Sequence, residues 1–310
     1  MRNQRISKPA LRLAASHLPE DVERIVRAYE DGLPGRVIAY YLTGSYSNAT
    51  AVPSSDIDMI LVFRPGLSEA ELQRSSAIIN ACKAASRLRL DLSLHYVADL
   101  SLGTDLCLLL LGSTFVYGQD LRGDLVLPPI DEYRRAATWA PYRLLGQVIR
   151  GVDLLRYPLR YPALEAPFYG YARVRMPEWY PAGFAALGTK ELVTGVTFTA
   201  TAWAALHAGR HIGSARHAVE VYKQAVGGAW AQYVEAVYRT CKLEWQYHVP
   251  EQNAEIDRLS ELCRMTLPFE NAYFAMYRTC LLELLQGNDE RRFAAERLQQ
   301  VVFTDGEAGG

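Results

Sequence analysis

The stretch from Gly44 to Phe63, GSYSNATAVPSSDIDMILVF, limits the fold more than any other part of the chain. It follows VIAYYLT, a β-branched and aromatic run that reads as a strand, and Gly44 and Ser45 open the small, polar turn that closes it. Asp56 to Phe63 reads as the next strand, and side chains at i and i+2 of a strand share a face. Asp56 and Asp58 therefore stand on one side, while Ile57, Met59, Leu61 and Phe63 point into the core. Two carboxylates within about 7 Å repel unless a cation sits between them. Mg²⁺ suits such oxygens: it takes one or two carboxylates and fills its shell with phosphate oxygens and water. Gly44, lacking a Cβ, lets backbone N–H groups approach a phosphate, and the Ser45 hydroxyl adds a donor.

The neighbouring sequence supplies an α/β unit around these strands. Pro19 to Asp31 places Val22, Ile25, Val26 and Tyr29 on one helical face, with Glu20 and Asp21 in the first turn where the dipole favours anions. Ser68 to Arg87 opens with a capping box, Ser68 to Glu71, and continues at helical spacing. Leu88 to Val97 alternates as a third strand and offers Asp91, a third acid among apolar neighbours. The unit ends near the turn YGQDLRGD at Tyr117 to Asp124. Beyond Pro129 the composition changes. Leu155 to Gly183 is dense in Tyr and Pro and reads as a long ordered loop with aromatic anchors. From Lys190 the helical period returns in four or five segments, which make a bundle. The expected domains are residues 1–128, α/β, and 129–310, helical, an α+β chain overall. The last residues, DGEAGG, read as frayed.

Charge and cysteine usage bound the partners. With 33 basic and 34 acidic residues the net charge is -1, which gives no overall positive field for a long nucleic acid. Five scattered cysteines without a Cys-x-x-Cys pair read as reduced thiols. The longest apolar run, Leu106 to Gly112, is far short of the roughly 20 residues that span a bilayer. The expectation is a soluble cytoplasmic protein with no membrane partner.

Gly-Ser, ten residues, Asp-Ile-Asp, an apolar strand and a later third acid resemble the nucleotidyltransferase superfamily that includes DNA polymerase beta. Phe115 to Leu121, FVYGQDL, is similar to the Tyr-Gly-x-Asp-Leu ending of that domain in its small-molecule branch. Ala202 to Tyr222 resembles, more weakly, the helical domain of the streptomycin and spectinomycin type aminoglycoside nucleotidyltransferases. The resemblance implies that Asp56 and Asp58 bind catalytic Mg²⁺ and that Asp91 deprotonates or orients the acceptor hydroxyl, as base, metal ligand or both. It also implies that Gly44, Ser45 and Ser55 face ATP, the co-substrate. Relatives carry Ala-Arg-Gly where this chain has Ser47, Asn48 and Ala49, and Ser-Lys where it has Ser214 and Ala215. Arg216 or Lys223 is then the substitute cation for the triphosphate. Glu191, next to Lys190 at the start of the first long bundle helix, is the implied grip on a cationic acceptor in a cleft between the domains.

The implied activity is Mg²⁺-dependent transfer of AMP from ATP to a hydroxyl of a small molecule, an aminoglycoside-like antibiotic being the favoured acceptor. Two alternatives stay open: an antitoxin-type enzyme that adenylylates a partner protein, and an inactive nucleotide-binding protein that kept the fold. Several residues also have plainer readings. Tyr-Gly-x-Asp-Leu reads as a structural turn, His95 as a packed histidine, and Glu191 equally as a first-turn acid that complements the helix dipole. Arg210 and His217 share the Arg-x6-His spacing of HEPN ribonucleases, a common coincidence.

Overall fold

The computed structural model describes residues 18–101, 104–173, 187–286 and 290–303. The chain separates into two compact units, Met1–Pro128 and Pro129–Gly310.

The first unit is built on a four-stranded sheet in the order β3-β2-β1-β4. Its elements are α1 (Glu20–Gly32), β1 (Val37–Thr43), the single turn α2 (Gly44–Ser47), β2 (Ile57–Phe63), α3 (Glu69–Ala85), β3 (Leu90–Tyr96), α4 (Asp105–Gly112) and β4 (Thr114–Gly118). β1 runs antiparallel to both β2 and β4, and β2 runs parallel to β3 across the α3 connection. Ser68 caps α3 with both bonds of the capping box in place. β2 begins one residue later than its apolar run suggests, so Asp56 is the last residue before the strand.

Helices cover both faces of this sheet. On one face Val22, Ile25, Val26 and Tyr29 of α1 and Cys82 of α3 pack against Ile57, Met59, Leu61 and Phe63. On the other, Leu109 of α4 and Leu100 pack against Tyr41, Ile60 and Val62. All of β2 is buried except Asp58, which lies where the second core stops. α4 and β4 are additions to the sequence reading: Leu106 to Gly112 is apolar all round, which carries no period. The edge strand β4 runs into the segment read as a closing turn and overlaps it at Tyr117 and Gly118.

The second unit contains α5 (Ile130–Arg143), β5 (Leu155–Tyr157), α6 (Lys190–Ala208), α7 (Ala215–Ala225), α8 (Gly228–Ala236), α9 (Asn253–Gln286), α10 (Arg291–Leu298) and β6 (Val301–Phe303). π-helical segments extend α5 over Leu144–Arg150 and α8 over Val237–Glu244. β5 and β6 pair in parallel. The sequence segments around Ile256 and Asn271 form one helix of 34 residues, α9, with Pro268 inside it. Proline removes the N–H that would bond the carbonyl four residues back. That carbonyl, on Arg264, instead accepts the Tyr161 hydroxyl at 3.2 Å. Tyr161 stacks on Tyr169 with centroids 4.6 Å apart, and Asn271 bonds both the N–H and the C=O of Leu159. The Tyr- and Pro-rich segment is thus anchored on α9 as far as Arg173; the rest of that expected loop and the terminal DGEAGG lie outside the described residues. Among the described residues no helix is long and apolar enough to cross a membrane.

Candidate active site

The acidic end of the sheet is assembled by register. Asp58 pairs across the antiparallel ladder with Thr43 and across the parallel ladder with Asp91. Register partners share a face and neighbouring strands lie about 4.8 Å apart, so the Asp58 and Asp91 side chains leave the sheet side by side. Asp91 is exposed and Asp58 partly so, which leaves both within reach of solvent. Asp56 precedes Asp58 by two residues, and the Ile57 N–H bonds the Arg89 carbonyl at 2.9 Å, which ties the start of β2 to the segment leading into β3.

Gly44 closes this group from the β1 side. Its φ is +64°, and a Cβ built on it would lie 2.1 Å from Asp58 Oδ2. Glycine is therefore needed twice over, for the left-handed backbone and for room beside the carboxylate. Thr43, unremarked in the sequence reading, donates its hydroxyl to the Asp58 carbonyl at 3.3 Å. Its only sequence signal was its place as the last strand residue before Gly44. Tyr46 lies in α2; burial raises its phenol pKa first, with the negative charges of Asp21 and Asp56 adding to the shift.

The loop from Gly44 to Asp56 is shaped by hydroxyls and contains no Lys or Arg. The Ser47 hydroxyl donates to the Gly44 carbonyl at 3.0 Å, and the Thr50 N–H donates to the Ser45 carbonyl at 2.9 Å. Ser45 is buried within α2. Ser55 is 2% exposed, and its hydroxyl accepts the Val52 N–H at 2.9 Å, so it holds the turn that delivers Asp56. Ala49 adopts φ +56°, a left-handed conformation that favours glycine, at the position where the resembled family has glycine.

Two other motifs resolve as structure. In Tyr-Gly-x-Asp-Leu, Gly118 has φ +95° and a Cβ there would lie 2.2 Å from the Ile38 carbonyl oxygen. The Tyr41 hydroxyl accepts the Leu121 N–H at 2.6 Å and donates to Asp120, which Arg122 also grips. The Arg122 hydrogen bond, ahead of every other cause, holds the Asp120 carboxyl below its ordinary range. His95, on β3, lies 3.0 Å from Asp105 at the start of α4.

The remaining sequence candidates belong to the second unit. Lys190 and Glu191 open α6; Glu191 is buried, and the Lys190 ammonium is 5.9 Å from the Tyr247 ring centroid. Arg216 pairs with Glu220 at 3.0 Å, and Lys223 with Glu235 at 2.8 Å. Both cations are exposed, so such pairs are weak and exchange readily. His217 Nδ1 accepts the Gly213 N–H at 3.4 Å, beside the Ser214 cap of α7. The structure thus groups Gly44, Asp56, Asp58 and Asp91 at one end of one sheet, and distributes Lys190, Glu191, Arg216 and Lys223 over α6 and α7.

Residues 22–100 match the family model of the nucleotidyltransferase domain. The first unit carries a nucleotidyltransferase domain. The match spans α1 through β3 and includes Gly44, Asp56, Asp58 and Asp91. Among curated proteins no sequence matches the chain. Among solved structures, spectinomycin adenyltransferase AAD(9) from Enterococcus faecialis with ATP and spectinomycin is similar over 79% of this chain and 98% of its own, at 13% identity and a TM-score of 0.47. A toxin-antitoxin structure with AMP-PNP is similar over 33% of this chain and 77% of its own, at 22% identity and a TM-score of 0.26. With both scores below 0.5, the domain assignment rests on the family model and on the sheet that carries the acids.

Three carboxylates beside a glycine turn are hard oxygen donors of the kind Mg²⁺ selects. Among the described residues no group of three or more His, Cys, Asp or Glu forms a ready metal cage. A site of two carboxylates that draws its other ligands from phosphate and water requires none.

Proposed function

We propose that the nucleotidyltransferase domain moves AMP from ATP to a hydroxyl of a small molecule, with Mg²⁺ held by Asp56 and Asp58. The single observation that carries this reading is the register that sets Asp91 beside Asp58, with Gly44 closed against the Asp58 carboxylate. Asp56 and Asp58 are the donors for the ion, and Asp91 stands next to them as the base. The bound ion would neutralise charge on the triphosphate and favour displacement at phosphorus.

The chain's own residues then have defined tasks. Asp91 accepts the acceptor's hydroxyl proton as that oxygen bonds to the α-phosphorus; the bond from the α-phosphorus to the bridging oxygen breaks, and pyrophosphate leaves. Gly44 leaves the room that the Asp58 carboxylate occupies, and Ser55 shapes the turn that presents Asp56. Gly44 and Ser45 line the approach for phosphate, where N–H groups and a hydroxyl favour an anion. With no basic residue between Gly44 and Asp56, cations from elsewhere in the chain, Arg216 or Lys223, complete the triphosphate grip.

For the acceptor, the reading takes an aminoglycoside-like cation, gripped by Glu191 with Lys190 beside it. Five free cysteines suit a reducing cytoplasm, where ATP and Mg²⁺ are supplied. The test is transfer of labelled AMP from ATP with Mg²⁺ to a panel of aminoglycosides and aminocyclitols, with Asp56→Asn as control. Label on one compound, absent with the variant, is the expected result. Label on a protein instead would move the acceptor to a polypeptide, and no label on any acceptor would remove the activity.

A further inference from the structure

The core of the second unit contains polar atoms that find no partner among the described residues. Among the described residues, Trp203 Nε1, the Tyr222 and Tyr273 hydroxyls and Thr199 Oγ1 are buried and make no hydrogen bond to or from any protein group. Thr199, Tyr222 and Tyr273 are each 0% exposed and Trp203 is 7% exposed. They come from three helices that meet at one ring: Tyr222 of α7 packs edge-on to Trp203 at 5.7 Å between centroids, and Tyr273 of α9 contacts it at 6.1 Å. Thr199 is one turn before Trp203 on α6, hence on the same helix face.

Several neighbouring hydroxyls of this unit do find partners. On α6, Thr194, Thr197 and Thr201 each donate to the carbonyl four residues back, at 2.8 to 2.9 Å. Thr199 forgoes the same bond while fully buried. Tyr233, equally surrounded by aromatic rings, shares a hydrogen bond with Thr266 at 2.7 Å. An indole N–H can only donate, and a neutral phenol or alcohol can do both. Water both donates and accepts, and buried water typically bridges such otherwise unsatisfied groups.

We propose that Trp203, Tyr222, Tyr273 and Thr199 form an internal hydration site in the helical unit, where bound water links α6, α7 and α9 through the polar ends of these side chains. The water accepts from the Trp203 N–H and exchanges hydrogen bonds with the hydroxyls. The site is a polar joint at the centre of the bundle, and it fixes the relative register of three helices that apolar packing alone would hold less specifically.

The sign of a stability change tests it. Tyr222→Phe and Tyr273→Phe each remove one oxygen and keep the ring. If the hydroxyls were orphaned in a dry core, deleting them would leave the melting temperature unchanged or raise it, because a desolvated polar group would be gone. If they hold water, each variant should melt about 2–4 °C lower than wild type. The double variant should then lose less than the sum of the singles, because the two hydroxyls share one network. Unchanged or raised melting temperatures in both single variants would overturn the proposal. A high-resolution crystal structure of the wild-type chain reads it independently: ordered water within hydrogen-bond distance of Trp203 Nε1 and of at least one of the two hydroxyls supports the site, and protein packed directly on all four atoms sinks it.

Discussion

At the scale of single residues, the acidic site depends on a glycine as much as on its carboxylates. Gly44→Ala would put a methyl group 2.1 Å from Asp58 Oδ2 in a backbone conformation that costs an L residue about 1–2 kcal/mol. The variant should melt several degrees lower and lose nucleotide transfer; a variant with full activity and unchanged melting would mean that Asp58 has room to spare. Asp91→Asn probes a different task. As the base, Asp91 should cost about 10²–10⁴-fold in turnover when changed, with ATP affinity nearly unchanged. A large loss of ATP affinity instead would make Asp91 a metal ligand. The closeness of Asp56 and Asp58 was legible in the sequence because one residue separates them, but the sequence did not show that Asp56 stands just before β2 and not within it. The Asp58–Asp91 pairing was not legible, since strand register follows from how two cores fill, and no local pattern states it. Ser55 shows the same limit: the bond its hydroxyl accepts from the Val52 N–H within its own loop has no local sequence pattern.

At the scale of elements, the Tyr-Gly-x-Asp-Leu segment acts as a clasp between β4 and β1. Asp120 is held below its ordinary pKa by Arg122, so the clasp contributes stability above the unfolded-state pKa of Asp120 and loses it as pH falls through the lower folded value. Arg122→Met should therefore melt lower than wild type near neutral pH, and the difference should shrink as pH falls through the lowered folded-state pKa of Asp120, where the carboxylate becomes protonated in both states. Thermal melts of the two proteins across that range check it; a difference independent of pH would assign the loss to packing of Arg122 on Tyr41. The elements missed in the sequence have physical reasons in common. α4 is apolar on every side and gives no period, and β4 is five residues long and runs into a segment rich in turn signals. Pro268 reads as a helix end, yet the Tyr161 hydroxyl supplies the bond that its ring removes and α9 continues.

At the scale of the whole molecule, the chain pairs a sheet unit that carries the acids with a helical unit that carries the remaining sequence candidates. A net charge of -1 means that attraction for a triphosphate has to come from local groups and a bound cation, not from an overall field. The central claim is that Asp56 and Asp58 hold the cation through which ATP binds. Titration calorimetry of a non-hydrolysable ATP analogue, with and without Mg²⁺, on wild type, Asp56→Asn and Asp58→Asn tests it most directly. Wild type should bind in a Mg²⁺-dependent way, and each variant should bind at least about tenfold more weakly in Mg²⁺ while melting within a few degrees of wild type. Equal Mg²⁺-dependent affinity in all three proteins would contradict the assignment.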